Sequence, residues 1–219
     1  ELLQKVSDND FSNRAFPLYT GRMIAVGAVP VTALRLSLVG ELGWELYTSV
    51  DYGLHLWDIL WDAGYDFNLI AAGHGALNAL RLEKGFRLVG YELTAEVNPF
   101  AAGIGHVVNV EKPDFIGRDA LIQAKRQLIT HRLCCIALDD PSVVLVGNEP
   151  VLNEQGQVIG SVTSAGYAYA TQQSIAYAYL PVQQATADTK VTLVYFDLHY
   201  TGQVVADPVD PSRHTRMRA

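Results

Sequence analysis

This chain predicts an α+β fold in which helices and strands mix in the first part and short antiparallel strands make up the remainder. Three observations carry that reading. Apolar residues alternate with period two through Val31-Thr32-Ala33-Leu34-Arg35-Leu36-Ser37-Leu38, the pattern of a half-buried strand. Three later segments carry apolar residues at helical spacing. From Leu133 onward that helical period disappears, and β-rich runs alternate with turn residues.

The elements follow in order. Glu1-Leu2-Leu3-Gln4-Lys5-Val6 reads as the end of a helix that starts upstream, with neither a Met nor a signal-peptide pattern. The chain is therefore expected to be a fragment or an excised domain. Ser7-Asp8-Asn9-Asp10 and Ser12-Asn13 supply loop and capping residues. Met23 to Val26, Gly27-Ala28 and Val29-Pro30-Val31 predict a hairpin leading into the alternating strand. Gly40 and Gly43 permit a tight reversal, after which Trp44-Glu45-Leu46-Tyr47 leaves as the next strand. Asp51 is expected to cap a helix over residues 52–63 with Leu54, Trp57, Leu60 and Trp61 on one apolar face and Gly64 at its end. A second helix is expected over residues 75–84, with Leu77, Leu80 and Leu82 buried or partly buried, and a third over residues 118–128. The β-rich runs are residues 133–138, 158–163, 174–179, 191–196 and 203–206, with hairpin loops at 153–156 and 197–202. Such spacing predicts a small antiparallel barrel or sandwich. The boundary falls near residues 126–132, giving domains 1–128 and 129–219.

Composition excludes several classes. With 49% apolar and 18% charged residues the chain is globular, not disordered. A net charge of -7 argues against a nucleic-acid partner. No apolar run approaches the roughly 20 residues that cross a bilayer, so no membrane partner is expected. Cys134 and Cys135 are adjacent on an expected strand and point to opposite faces. They are read as small core residues without a disulfide, which fits a reducing, cytoplasmic setting. The six histidines lack metal-ligand spacing, so no metal site is expected. Gly103-Ile104-Gly105 lacks the third glycine of a dinucleotide fingerprint, Val108 standing in its place.

Glu45 is the residue with the most specific chemistry. Flanked by Trp44 and Leu46, its side chain lies on the opposite strand face from theirs, with Tyr47 on its own face. A carboxylate held there can accept two parallel donors, such as the ring N–H and exocyclic amine of a pterin. On spacing alone, the commoner reading is a solvated surface carboxylate. Arg81 and Glu83 stand two apart, do not face each other on a helix, and are read as structural, each pairing with neighbouring elements.

Several blocks in order carry a family resemblance: Gly40-Glu41-Leu42-Gly43-Trp44-Glu45-Leu46-Tyr47, then Asn78-Ala79-Leu80-Arg81-Leu82-Glu83-Lys84-Gly85. Asn98-Pro99-Phe100 with Ala102-Gly103-Ile104, then Asp114-Phe115-Ile116-Gly117-Arg118-Asp119-Ala120-Leu121, then Val162-Thr163-Ser164 complete the series. The order resembles the glycine cleavage T-protein (aminomethyltransferase) family, closest to the folate-binding C-terminal region of dimethylglycine and sarcosine dehydrogenases. The resemblance implies an incomplete T-protein-like folate-binding domain followed by the family's C-terminal barrel. It implies tetrahydrofolate as the cofactor, Glu45 as the carboxylate that binds its pterin, and Tyr47 lining the same pocket. Glu45 is accordingly expected to point into a cleft. FAD would sit only in a separate upstream domain of the same polypeptide.

The complete protein would pass a methylene-level carbon from an amine to tetrahydrofolate. The family's catalytic aspartate belongs to a segment before this region, so no catalytic residue is assigned and the chain alone is expected to be inactive. Three positions depart from the family: Leu38 replaces a pocket tyrosine, Leu77 an arginine, and Ala101 a glutamate. Those losses point to weaker folate binding. They also support an alternative, a non-catalytic T-protein-like scaffold or regulatory module that has lost folate.

Overall fold

Period-two alternation gathers the core of the first sheet onto one face. The structure is a computed structural model that describes residues 1–209, 216 and 217. Strands β1 (Gly21–Val26), β2 (Val29–Leu34) and β3 (Glu45–Tyr47) form an antiparallel sheet in that order. Ile24, Val26, Val29, Val31 and Ala33 are buried on its inner side with Phe16. Gly27 has φ +54°, a conformation that glycine adopts without steric cost, and it closes the β1–β2 hairpin as expected.

Helix α1 (Leu2–Val6) and helix α2 (Val50–Gly64) belong to the same compact unit, which takes in Glu1–Leu77. Two expectations for α2 are corrected. Ser49, in extended conformation, is the N-cap, while Asp51 lies in the first turn. There a carboxylate favours the positive end of the helix dipole. The apolar face is also different. Leu56 is buried and Ile59 and Leu60 pack beside it, while Leu54, Trp57 and Trp61 are exposed. The helix has apolar residues on two stripes, and a 3.6-residue period does not say which stripe a sheet will cover.

The second unit begins at Asn78 and holds the described residues to 209. Helix α3 (His74–Glu83) leads into it, burying Leu82, with Leu77 and Leu80 half-buried. Helix α4 runs over Arg118–Arg126. Six strands then close a barrel in the order β4-β7-β6-β5-β8-β9. These are β4 (His131–Leu138), β5 (Pro150–Leu152), β6 (Val158–Ala168), β7 (Gln173–Pro181), β8 (Lys190–Tyr195) and β9 (Leu198–Val205). All pairings are antiparallel, with Ile136 opposite Ala176 on one side of β4 and Val204 on the other. The expected barrel is therefore present, although the ends of the expected second domain, residues 210–215, 218 and 219, lie outside the described residues.

Strand β4 shows why its sequence reads as a continuous apolar run. Cys134, Ile136 and Leu138 enter the barrel core, whereas Leu133 and Cys135 pack on its other face with Leu82, Ile175 and Tyr177. Both faces are covered, so both sets are apolar. Cys134 and Cys135 are buried, free and on opposite faces.

Two details differ from the sequence reading. Strand β5 was not expected; it is only three residues long and begins with Pro150. The loop expected at 197–202 is mostly strand. Phe196 and Asp197 both adopt positive φ, +47° and +62°, so a two-residue turn suffices and pairing resumes at Leu198. His199 therefore lies on β9, paired with Val194.

Candidate functional site

The turn before β3 is built by its small residues. A Cβ on Gly43 would stand 2.8 Å from the Leu36 carbonyl oxygen, which excludes any side chain there without a shift. Gly40 has φ +73°, and the Ser37 hydroxyl accepts the backbone N–H groups of Val39 and Glu41, each at 3.2 Å. This reversal lays β3 against β2 with Glu45 opposite Leu34 and Tyr47 opposite Thr32.

Glu45 and Tyr47 consequently share one sheet face, as their spacing required. Trp44 goes the other way and meets Phe11 and Phe16 edge-on, at centroid distances of 5.0 and 4.6 Å. The Tyr47 hydroxyl donates to Glu45 Oε2 at 2.5 Å. That hydrogen bond, and then the carboxylate charge, raise the Tyr47 pKa, so the phenol keeps its proton. Glu45 is half-buried and Tyr47 exposed.

The cleft expected beside Glu45 takes a different form. A cavity of about 1050 Å³ in the same unit is lined by Trp44 and Leu46, the neighbours of Glu45 that face away from it, together with Arg35, Trp57 and Trp61. Glu45 and Tyr47 are not on its wall. Arg35 is 2% exposed and donates through Nη1 to the Phe16 carbonyl at 2.8 Å and through Nη2 to Asn13 Oδ1. It is a structural clamp between β2 and the preceding loop.

The Arg81 block serves the second unit. Arg81 Nη1 pairs with Glu92 Oε2 at 2.7 Å, and its Nε donates to Asn78 Oδ1 at 3.0 Å. Glu92 also accepts the Leu88 N–H at 2.9 Å, the Ser164 hydroxyl, and the Thr163 hydroxyl at 3.2 Å. A bulge between Val162 and Ser164 brings both hydroxyls of Val162-Thr163-Ser164 to the same carboxylate. Glu83 Oε2 accepts the Ala170 N–H at 3.1 Å. The structural reading of Arg81 and Glu83 holds. Glu92 escaped the sequence reading because nothing local marks Val89-Gly90-Tyr91-Glu92-Leu93 as buried.

Of the three departures from the family, Leu38 is exposed and Leu77 and Ala101 are half-buried. The Ala101 carbonyl accepts the Leu133 N–H at 3.0 Å, a bond that needs no side chain. Among the described residues no group of three or more His, Cys, Asp or Glu could hold a metal ion. No helix there is long and apolar enough to cross a membrane.

Comparison with known proteins decides the family. The family model for the GCVT N-terminal domain matches residues 1–112, and that for the glycine cleavage T-protein C-terminal barrel domain matches residues 131–210. The chain belongs to the glycine cleavage T-protein family. Within that family it is 37% identical over 219 residues to human (Homo sapiens) mitochondrial dimethylglycine dehydrogenase, covering all of this chain and 25% of the relative. It is 33% identical over 208 residues to an aminomethyltransferase of Halothermothrix orenii, covering 95% of this chain and 57% of the relative. The crystal structure of the glycine cleavage system aminomethyltransferase from Bartonella henselae superposes with a TM-score of 0.75 at 22% identity. It covers 82% of this chain and 50% of that one, and shows that the fold is shared. This T-protein-family chain thus spans a quarter of the dehydrogenase and little more than half of the aminomethyltransferase.

Proposed function

We propose that this chain is the folate-binding part of a tetrahydrofolate-dependent one-carbon transferase, as in dimethylglycine and sarcosine dehydrogenases or the T-protein itself. The observation that carries the reading is the Glu45–Tyr47 pair on β3, in a block whose sequence resembles the family's pterin-binding block. Tyr47 holds Glu45 through Oε2, and that bond does not use Oε1. The carboxylate can then accept the pterin's ring N–H and exocyclic amine side by side, Oε2 taking a second donor on its remaining lone pair. The residues present therefore fit the pterin end of the group.

Bound tetrahydrofolate supplies the ring nitrogens that take up a methylene-level carbon. The contribution of this chain is to bind and orient the ring, which is how positioning lowers a bimolecular barrier. In this reading residues 1–128 are the C-terminal part of the folate-binding domain and residues 129–219 the barrel domain. FAD, where the parent protein carries it, sits in another domain, and the 219 residues alone are inactive. The free, buried Cys134 and Cys135 suit a reducing compartment such as the cytoplasm.

One observation favours a second reading, a scaffold that has lost folate: Leu38 and Leu77 offer no polar group. Calorimetric titration with a reduced folate separates the two. Binding that weakens by roughly 1.5–3 kcal/mol in Glu45→Gln is expected, the scale of a hydrogen bond to a charged group. Equal binding by parent and variant refutes the role of Glu45, and no binding by a well-folded full-length parent supports the scaffold.

A further inference from the structure

Helix α2 has two apolar stripes and the first unit uses one of them. Leu56, with Ile59 and Leu60 beside it, faces the core. Val50, Leu54, Trp57 and Trp61 recur at intervals of four, three and four along the sequence and turn outward, Leu54 being 73% and Trp57 55% exposed. The Trp57 and Trp61 rings stack with centroids 5.7 Å apart and planes 10° from parallel, making one flat apolar plate. Both line the cavity of about 1050 Å³, together with Leu42, Trp44 and Ile70. A helix apolar on two sides is ordinarily covered on both, and a contiguous exposed patch marks a docking surface.

Charge narrows the occupant. Asp51, Asp58 and Asp62 are exposed on α2, and the helix carries no Lys or Arg. A second copy of α2 laid on this face would bring carboxylates together, which disfavours self-association. We propose that this face docks a basic amphipathic helix. Apolar residues at i, i+3 or i+4, and i+7 would pack on the Trp57–Trp61 plate, and flanking Lys or Arg would meet the three aspartates. The source is polypeptide of the same protein outside these 219 residues. Matched relatives are longer, this chain spanning 57% of the aminomethyltransferase and 25% of the dehydrogenase. Nothing in this inference depends on folate.

The test titrates the 219-residue chain with a synthetic helix bearing Leu on one stripe and Lys elsewhere, and in parallel with the same peptide carrying Glu for Lys. Tryptophan emission is the readout. Only the Lys peptide should produce a saturable blue shift, and raising salt from about 0.05 to 0.5 M should weaken it roughly tenfold. The Asp58→Lys/Asp62→Lys variant, altered only at exposed positions, should keep the parent melting temperature and lose the Lys peptide at least about tenfold. Full-length protein should not bind the peptide, its face being occupied in cis. Binding of both peptides alike, or of neither, overturns the basic helix. A concentration-dependent dimer of the chain that Trp57→Ser abolishes makes a second copy the occupant and overturns it too. Full-length protein that binds the Lys peptide as tightly as the fragment overturns the cis source.

Discussion

Arg81 and Glu92 form an ion pair at 2.7 Å with both side chains only 1% exposed, and the carboxylate is shared with Ser164, Thr163 and the Leu88 N–H. Arg81 Nη2 has no hydrogen-bond partner among the described residues. Such a pair stabilises little relative to an apolar replacement, but removing one member strands the other charge. Glu92→Ala or Arg81→Ala should each cost about 3–5 kcal/mol of unfolding free energy. Arg81→Met/Glu92→Leu should cost much less than the sum of the two, as measured by denaturant titration. An additive double mutant would show that the two residues act independently.

Stability of the barrel should fall at high pH. Burial pushes the Cys134 thiol from 9.0 up to about 11. Burial, and then the charge of Glu92, push the Tyr179 phenol from 10.0 up to about 12. In both cases the unfolded chain releases the proton first, so the folded state binds more protons in that window and unfolding becomes easier as pH rises. The contribution is complete below about pH 9 and is lost progressively up to about pH 12. Melting temperatures at pH 8, 10 and 11 check the sign, and a flat profile would refute it.

Thiol chemistry should follow unfolding. Cys135 is fully buried and desolvation moves its pKa upward, so it presents almost no thiolate at neutral pH. A thiol-reactive dye should label neither Cys134 nor Cys135 in the folded chain within minutes and should label both in denaturant. Fast native labelling would mean that β4 opens readily.

Gly160 is a packing constraint. A Cβ there would stand 2.3 Å from the Tyr179 carbonyl oxygen, which belongs to backbone that cannot swing aside. Gly160→Ala should destabilise by about 1–3 kcal/mol, the scale of overpacking. Equilibrium unfolding of the variant measures it.

Leu38→Tyr tests the folate reading from the side of gain. The added ring stands at an exposed position, where the resemblance implies a tyrosine, so folding should be unaffected. Reduced-folate affinity in the full-length protein should rise by about 1 kcal/mol, the value of one aromatic contact. Unchanged affinity would place residue 38 outside the ligand's reach.

How much was legible differs by element. The β1–β2 hairpin, the shared face of Glu45 and Tyr47, the structural role of Arg81 and Glu83 and the antiparallel barrel could all be read from period and turn residues. The hairpin and the shared face depend on contacts within a strand or across a single turn, the barrel reading on the spacing of strands and turns, and the structural role of Arg81 and Glu83 on their two-residue separation along a helix. The two-residue turn at Phe196-Asp197 could not, because Asp197 suits positive φ but the aromatic Phe196 beside it does not belong to the usual positive-φ set. Nor could the packed stripe of α2, where two apolar stripes compete for one sheet.

The sequence by itself determined the family, the α+β order of elements and which residues share a strand face, because those follow from side-chain spacing along the chain. Only the tertiary structure decided that Glu92 is the buried partner of Arg81. It also decided that Trp57 and Trp61 stay outside, and that the large cavity opens on the Trp44 side of β3 and not beside Glu45. Those outcomes rest on which surfaces meet, and burial is set by neighbours distant in sequence that no local period encodes.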